Sequence, residues 1–505
     1  MISKIYSAIP YGFEGRIIEV EGDSSRGLPS FNIVGMANKT VCEARERVRS
    51  AISNAGLLFP AQKITINLAP ADLSKDGSYL DLPIALSILT LSDQLLESDT
   101  NNKLFVGELS LNGELKPVKG IINILETAKT HDIKDVFVPI QNLPQASLVK
   151  DLNIYGVDTI KNLILHLRSI AKLQTASSLR SKTKVASEPQ NLTLLDHIKG
   201  QELAKRAIEI AIAGHHNLLI SGPPGAGKTM LAKAAANPLP DLSEQEKIDL
   251  TKIYSLANLS TDHAIEARPF RCPHHTASTT SIIGGGANAN PGEISLASSG
   301  ILFLDEIPEF KRETLEALRQ PLEDKKVTIS RANQKTTYPA DFMLIATMNP
   351  CPCGYYGDPT HECKCTAKQV IDYKKKLSGP LFDRIDMYIT VDRVENDDLL
   401  KIPTKNNHKH NVVKNTITEG IFRQNLRYKK DGFFNSSLSS YEVSTMLKIS
   451  TSGMRLLKQA SEKLALSARS YFKTIKVAQT IADLEGAPEI RESHIAEAIS
   501  FRKPN

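Results

Sequence analysis

The chain has 505 residues, 41% hydrophobic and 23% charged, proportions that fit a globular protein with several cores and exclude a disordered or fibrous one. Its net charge of +6 permits a nucleic-acid partner without requiring one, and no apolar run approaches the roughly 18 residues needed to cross a bilayer. Six cysteines in a chain this long are not a secreted disulfide framework, and segment 1–15, broken by Pro10 and Gly12, offers no signal-peptide core, so a cytoplasmic protein with no membrane partner is expected.

Residues 1–167 mix short β-rich runs, such as 64–68 and 136–138, with helix-like stretches at 44–55 and 82–91, which predicts a separate α/β domain. Residues 168–192 turn polar and lose apolar periodicity, as a flexible linker does. From 193 to 394 apolar strand-like runs recur at 218–220, 301–304 and 342–347 between helical segments, the pattern of a parallel sheet wrapped by helices.

That second domain carries the chemistry. Directly after Leu218, Leu219 and Ile220 come Gly222, Pro223, Pro224, Gly225, Ala226, Gly227, Lys228 and Thr229. A strand that ends in such a glycine-rich turn and opens a helix points several backbone N–H groups at one place, which suits a nucleotide's phosphates. Lys228 would meet the β- and γ-phosphates and Thr229 would hold Mg²⁺. The apolar run 301–304 then ends in Asp305 and Glu306, one carboxylate for Mg²⁺ and one to orient the attacking water of an ATPase. The run 342–347 leads to Asn349, placed to hold that water or the γ-phosphate.

Cys351, Cys353, Cys363 and Cys365 fall within fifteen positions of an insertion at 351–365 and suit a structural Zn²⁺, with His361 as a substitute ligand and free thiols as the competing reading. Arg384 lies between Asp383 and Asp386, where an isolated arginine reads as a surface ion pair. Between 401 and 430 eight Lys/Arg face the single acid Glu419, with Phe422 and Tyr428 interleaved; a nucleic-acid contact and a solvated helix face both fit. The rest of 395–505 has helical periodicity at 439–447, 451–465, 474–484 and 492–501, a small helical lid.

These pieces in this order, with Arg268 to Thr276, Pro291 to Leu296, 301–310, 466–469 and 480–484, resemble the magnesium-chelatase-like branch of the AAA+ ATPases, and within it the ComM/YifB family. The resemblance implies an AAA+ P-loop core with ATP and Mg²⁺ as cofactors, assembled as a homohexamer in which Arg384 reaches a neighbour's ATP and Arg469 senses the γ-phosphate of its own subunit. It implies that 282–297 and 325–341 face the central channel, with Lys325, Lys326, Arg331 and Lys335 touching DNA phosphates. The activity it implies is a DNA motor that promotes branch migration of recombination intermediates in natural transformation; the rival is a chelatase-type motor that remodels a protein partner. Gln479 stands where the family has Arg, so a lid contact is expected to be lost. Residues 1–167 resemble the Lon protease domain, of ribosomal-protein-type α/β fold, but Tyr79 occupies the nucleophile's place, Ser78 is displaced by one residue, and Ile122 and Ile124 stand where the family's lysine falls. A platform for binding or ring assembly, without proteolysis, is expected.

Overall fold

The computed structural model describes residues 2–35, 39–73, 75, 77–178, 195, 198–257, 259, 264–286, 289–331, 334–359, 361–393 and 407–502. Most of the expected linker, part of the basic stretch and the Arg331 side chain lie outside them. The chain forms two compact units, one of Met1–Ser187 with Ser243–Glu266 and one of Glu188–Leu242 with Ala267–Asn505.

The first unit is built on an eight-stranded mixed sheet whose longest strands are the antiparallel pair Ile2–Tyr11 and Glu14–Ser25. Gly12, with φ +62°, makes the tight turn between them. Strand Lys63–Ala69 buries every second residue, Ile64, Ile66 and Leu68, against one face of the core. Helix Asp81–Leu91 is buried along its whole length, which explains its unbroken apolar sequence.

Helix Glu244–Leu256 belongs to this unit although the linear reading assigns its residues to the second domain. It packs on helix Ile121–Thr130, where Gly120 N–H donates to Ser255 Oγ at 2.7 Å and Lys252 pairs with Glu126. Lys252 also lies over the Phe13 ring, 4.6 Å from its centroid.

In the residues compared with the Lon dyad, Lys75 is buried and donates to the carbonyls of Gly35, at 3.0 Å, and Pro70. Ser78 donates to Glu108, and burial pushes the Tyr79 phenol up to about 12. Asp81 is held by Arg47 at 2.9 and 3.1 Å.

The second unit has a five-stranded, wholly parallel sheet in the order Phe270–Arg271, Ile301–Leu304, Met343–Met348, Leu218–Ser221, Met387–Thr390. The three central strands are buried at every position, which is why they read as continuous apolar runs and not as alternation. The helical region contains Ser440–Met446, Thr451–Lys463, Ala468–Glu485 and Glu492–Ser500, as expected, with the third beginning six residues earlier than its sequence pattern. The basic stretch contributes helix Asn407–Tyr428, whose Ile417 enters the core and whose Gln424 donates to Ala213 O at 2.8 Å. Gln479 donates to Asp483, four residues on in the same helix, at 2.9 Å, and Arg427 pairs with the same carboxylate.

His215 ends helix Glu202–Gly214 in the left-handed region, φ +55°, stacked on Phe434 with ring centroids 5.0 Å apart. Burial lowers its pKa from 6.5 to about 4, a shift that the Asp341 carboxylate opposes. Between those values the unfolded chain binds the extra proton, so this contribution is full above pH 6.5 and lost as pH falls towards 4, in all about 3 kcal/mol. Denaturation of the native and His215→Asn chains at pH 7.5 and pH 4 is expected to show the native chain losing about that much more stability. Asn tolerates the same left-handed backbone and does not titrate.

Candidate active site

Strand Leu218–Ser221 is flanked on both sides in the sheet, so the loop that leaves it opens into the crevice beyond the strands' C-terminal ends. A Cβ on Gly222 would lie 2.3 Å from Val391 O, which leaves no room for a side chain. Gly225 and Gly227 both take φ +81°, a left-handed conformation that glycine adopts at no steric cost. Ala226 is buried in the core and anchors the loop between them.

The side chains around this loop form one connected network. Lys228 is 9% exposed, and burial lowers its pKa. Its Nζ donates to the carbonyls of Gly222 at 2.7 Å and Pro223 at 3.0 Å, and to Asn349 Oδ1 at 3.0 Å. Thr229 donates to Asp305 Oδ2 at 3.1 Å, while Thr347 donates to the other Asp305 oxygen. Glu306 donates its backbone N–H to Thr347 Oγ1 at 3.0 Å and sits at φ +51°, a strained setting for a non-glycine residue, with its side chain exposed. Lysine, hydroxyl, two carboxylates and an amide thus converge where a triphosphate and Mg²⁺ would lie. Thr347 was not singled out in the sequence, although period-two spacing puts it on the face of Asn349.

The arginines lie elsewhere. Arg384 donates to Arg319 O at 2.9 Å, Pro380 O at 2.6 Å and Glu323 Oε2 at 2.6 Å. Arg469, at the start of helix Ala468–Glu485, donates to the second oxygen of the same carboxylate at 2.5 Å. Both line a cavity of about 820 Å³ whose walls include no residue of 222–229. Arg469 thus stands beside Arg384 and away from loop 222–229, on a helix whose Lys473, one turn on, is fixed to Asp386 at 3.2 Å and to Ile385 O at 2.9 Å.

The four cysteines come together behind the loop. Cys351 Sγ is 3.3 Å from Cys353 and 3.7 Å from Cys363, Cys353 is 3.6 Å from Cys363, and all four sulfurs lie within 4.8 Å of one another. These gaps are far beyond a disulfide bond and near the spacing of about 3.8 Å that a tetrahedral ion with bonds of about 2.3 Å imposes. A backbone hydrogen bond at Tyr355 leads the influences that lower the Cys353 thiol, while burial and the neighbouring thiols raise Cys363 and Cys365, as expected of four thiols crowded together. His361 is outside the cluster; it stacks on Tyr355 and accepts from Arg393 at 3.1 Å. Gly354, at φ +86°, lies against the phosphate loop so closely that a Cβ would meet Pro224 Cδ at 2.6 Å.

Among the residues expected to meet DNA, Lys326 and Lys335 are exposed on the hairpin Lys326–Arg331 and Gln334–Pro339. Arg331 pairs with Gln334 at its tip. Lys325 differs: its Nζ donates to Ser437 Oγ at 2.7 Å and Asp341 at 3.2 Å, which engages it within the fold. Tyr338 donates to Ala289 O at 3.0 Å, so hairpin and insertion 282–297 pack together.

Models of the magnesium chelatase subunit ChlI match residues 194–399 and 20–142, and that of its C-terminal region matches 407–502. The chain is 41% identical to competence protein ComM of Haemophilus influenzae, over 99% of this chain and 97% of that protein. The chain belongs to the ComM/YifB family. Another member, the uncharacterized protein YifB of Escherichia coli, is 39% identical over 99% of this chain and 97% of its own length. The DNA replication licensing factor Mcm2 of Drosophila melanogaster is 19% identical over 66% of this chain and 38% of that protein. As a ComM/YifB protein the chain is a magnesium-chelatase-like AAA+ protein, and no helix among its described residues is long and apolar enough to cross a membrane.

Proposed function

We propose that the chain is a cytoplasmic ATP-driven DNA motor that assembles as a homohexameric ring and promotes branch migration of recombination intermediates, the service a competence protein would give natural transformation. The observation that carries this reading is the division of the catalytic groups. The loop 222–229 with Asp305, Glu306 and Asn349 has groups for ATP, Mg²⁺ and the attacking water, whereas Arg384 and Arg469 are held together away from it. An ATPase site in need of a cation is then completed by the next subunit, and hydrolysis is tied to ring assembly.

Exposed Lys326 and Lys335 on the hairpin support contact with DNA phosphates, as does the relation to a competence protein and, distantly, to a replication licensing factor. Zn²⁺ on Cys351, Cys353, Cys363 and Cys365 is part of the reading. So is a Lon-like first unit without protease activity, since Lys75 and Ser78 are engaged with other partners. The match of residues 20–142 to a chelatase subunit favours the second reading, a motor that remodels a protein partner.

The deciding experiment incubates the protein with a labelled four-way DNA junction, ATP and Mg²⁺, beside Lys228→Ala. Strand exchange by the native chain and none by the variant is expected. DNA retention should weaken steeply with salt, as counterion release requires. ATP hydrolysis without strand exchange, and DNA binding indifferent to salt, would favour protein remodelling.

A further inference from the structure

Glu323 was not singled out in the sequence, yet it joins the two arginines to the hairpin. It lies near the end of helix Arg319–Asp324, and the hairpin strand starts at Lys326. Its two carboxylate oxygens accept separately from Arg384 and Arg469, at 2.6 and 2.5 Å. A carboxylate that accepts from two guanidinium groups stands in for a phosphate oxygen. Arg384 also grips the other end of the same helix through Arg319 O. The base of the hairpin is closed next to Glu323, where Ala340 N–H donates to Lys325 O at 2.9 Å and Lys325 takes φ +53°. Displacement of the hairpin would therefore pull on Glu323 through two residues of chain. The Glu323–Arg469 contact is well placed to exchange, since those side chains are 45% and 48% exposed and exposed ion pairs are weak. Arg384, by contrast, is 12% exposed and is held by the Arg319 and Pro380 carbonyls as well, so Glu323 is the one of its three partners that the hairpin can withdraw.

We propose that Glu323 is a positioning residue that holds Arg384 and Arg469 as a pair while no nucleotide faces them, and that DNA contact at the hairpin releases them to a neighbouring subunit's polyphosphate. This rests on the reading that Arg384 completes a neighbour's site. Releasing the carboxylate in advance should mimic the effect of DNA.

The test compares full-length native, Glu323→Gln, Glu323→Asp and Arg384→Ala proteins for ATP hydrolysis with and without a single-stranded oligothymidine. Glu323→Gln is expected to raise the DNA-free kcat at least about fivefold, the lower end of ordinary coupling, with KM little changed, and to bring stimulation by DNA close to one. Glu323→Asp should restore low basal activity and stimulation. Native basal rate and native stimulation in Glu323→Gln would overturn the proposal, and so would a loss of activity that Glu323→Asp does not rescue. Full activity in Arg384→Ala would instead overturn the underlying trans reading, and the proposal with it.

Discussion

An Arg384→Ala chain is expected to hydrolyse ATP about 10³–10⁵ times more slowly than the native protein, the range lost with an arginine that stabilises transferring phosphoryl charge. It should still bind nucleotide, because Lys228, Thr229 and Asp305 form their network without Arg384. Lys228→Ala should be equally inactive for the opposite reason, having lost the cation that meets the phosphates. Mixed in one ring, the two variants complement each other: wherever a Lys228→Ala subunit presents its intact Arg384 to an intact phosphate loop, one working site forms. Recovery of a measurable fraction of native ATPase on mixing is therefore expected, and a mixture as dead as its parts would sink the intersubunit reading.

The second large effect concerns the cysteine cluster. Metal analysis of the purified protein is expected to find about one Zn²⁺ per chain. Replacing Cys363 and Cys365 by Ser should remove it and weaken ATP binding by an estimated tenfold or more, on the order of 1.4 kcal/mol. The cluster begins two residues after Asn349, which bonds Lys228, and its Gly354 backs Pro224 of the phosphate loop, so loosening it releases the loop from two sides. Structural Zn²⁺ contributes roughly 10–16 kcal/mol in isolated zinc-finger peptides, far more than this local effect requires. Native nucleotide affinity in a metal-free double variant would show that the cluster does not brace the phosphate loop, and a native chain without metal would show that the cysteines are merely packed together. Gly354→Ala tests the same contact without touching a sulfur: its positive φ and the close approach to Pro224 predict weaker ATP binding with zinc retained.

How much was legible follows from how local each feature is. Gly222 to Thr229 are contiguous, Asp305 and Glu306 end one strand and Asn349 follows another; parallel strands bring such ends together whenever their runs are fully buried. The cysteine cluster was equally readable, because fifteen residues of chain limit how far four thiols can separate. Helix Asn407–Tyr428 was less so, since its basic residues mask the few positions, such as Ile417, that reach the core.

The sequence by itself determined the family and the residues that gather around loop 222–229, Asp305 and Asn349 among them. Only the tertiary structure decided that 243–266 pack on the first unit, that Lys325 is engaged inside the fold, and that Arg384 and Arg469 meet on Glu323. Those outcomes depend on contacts between residues far apart in the chain, set by how whole helices dock. Spacing along the chain fixes what a side chain can do, whereas packing fixes where it stands.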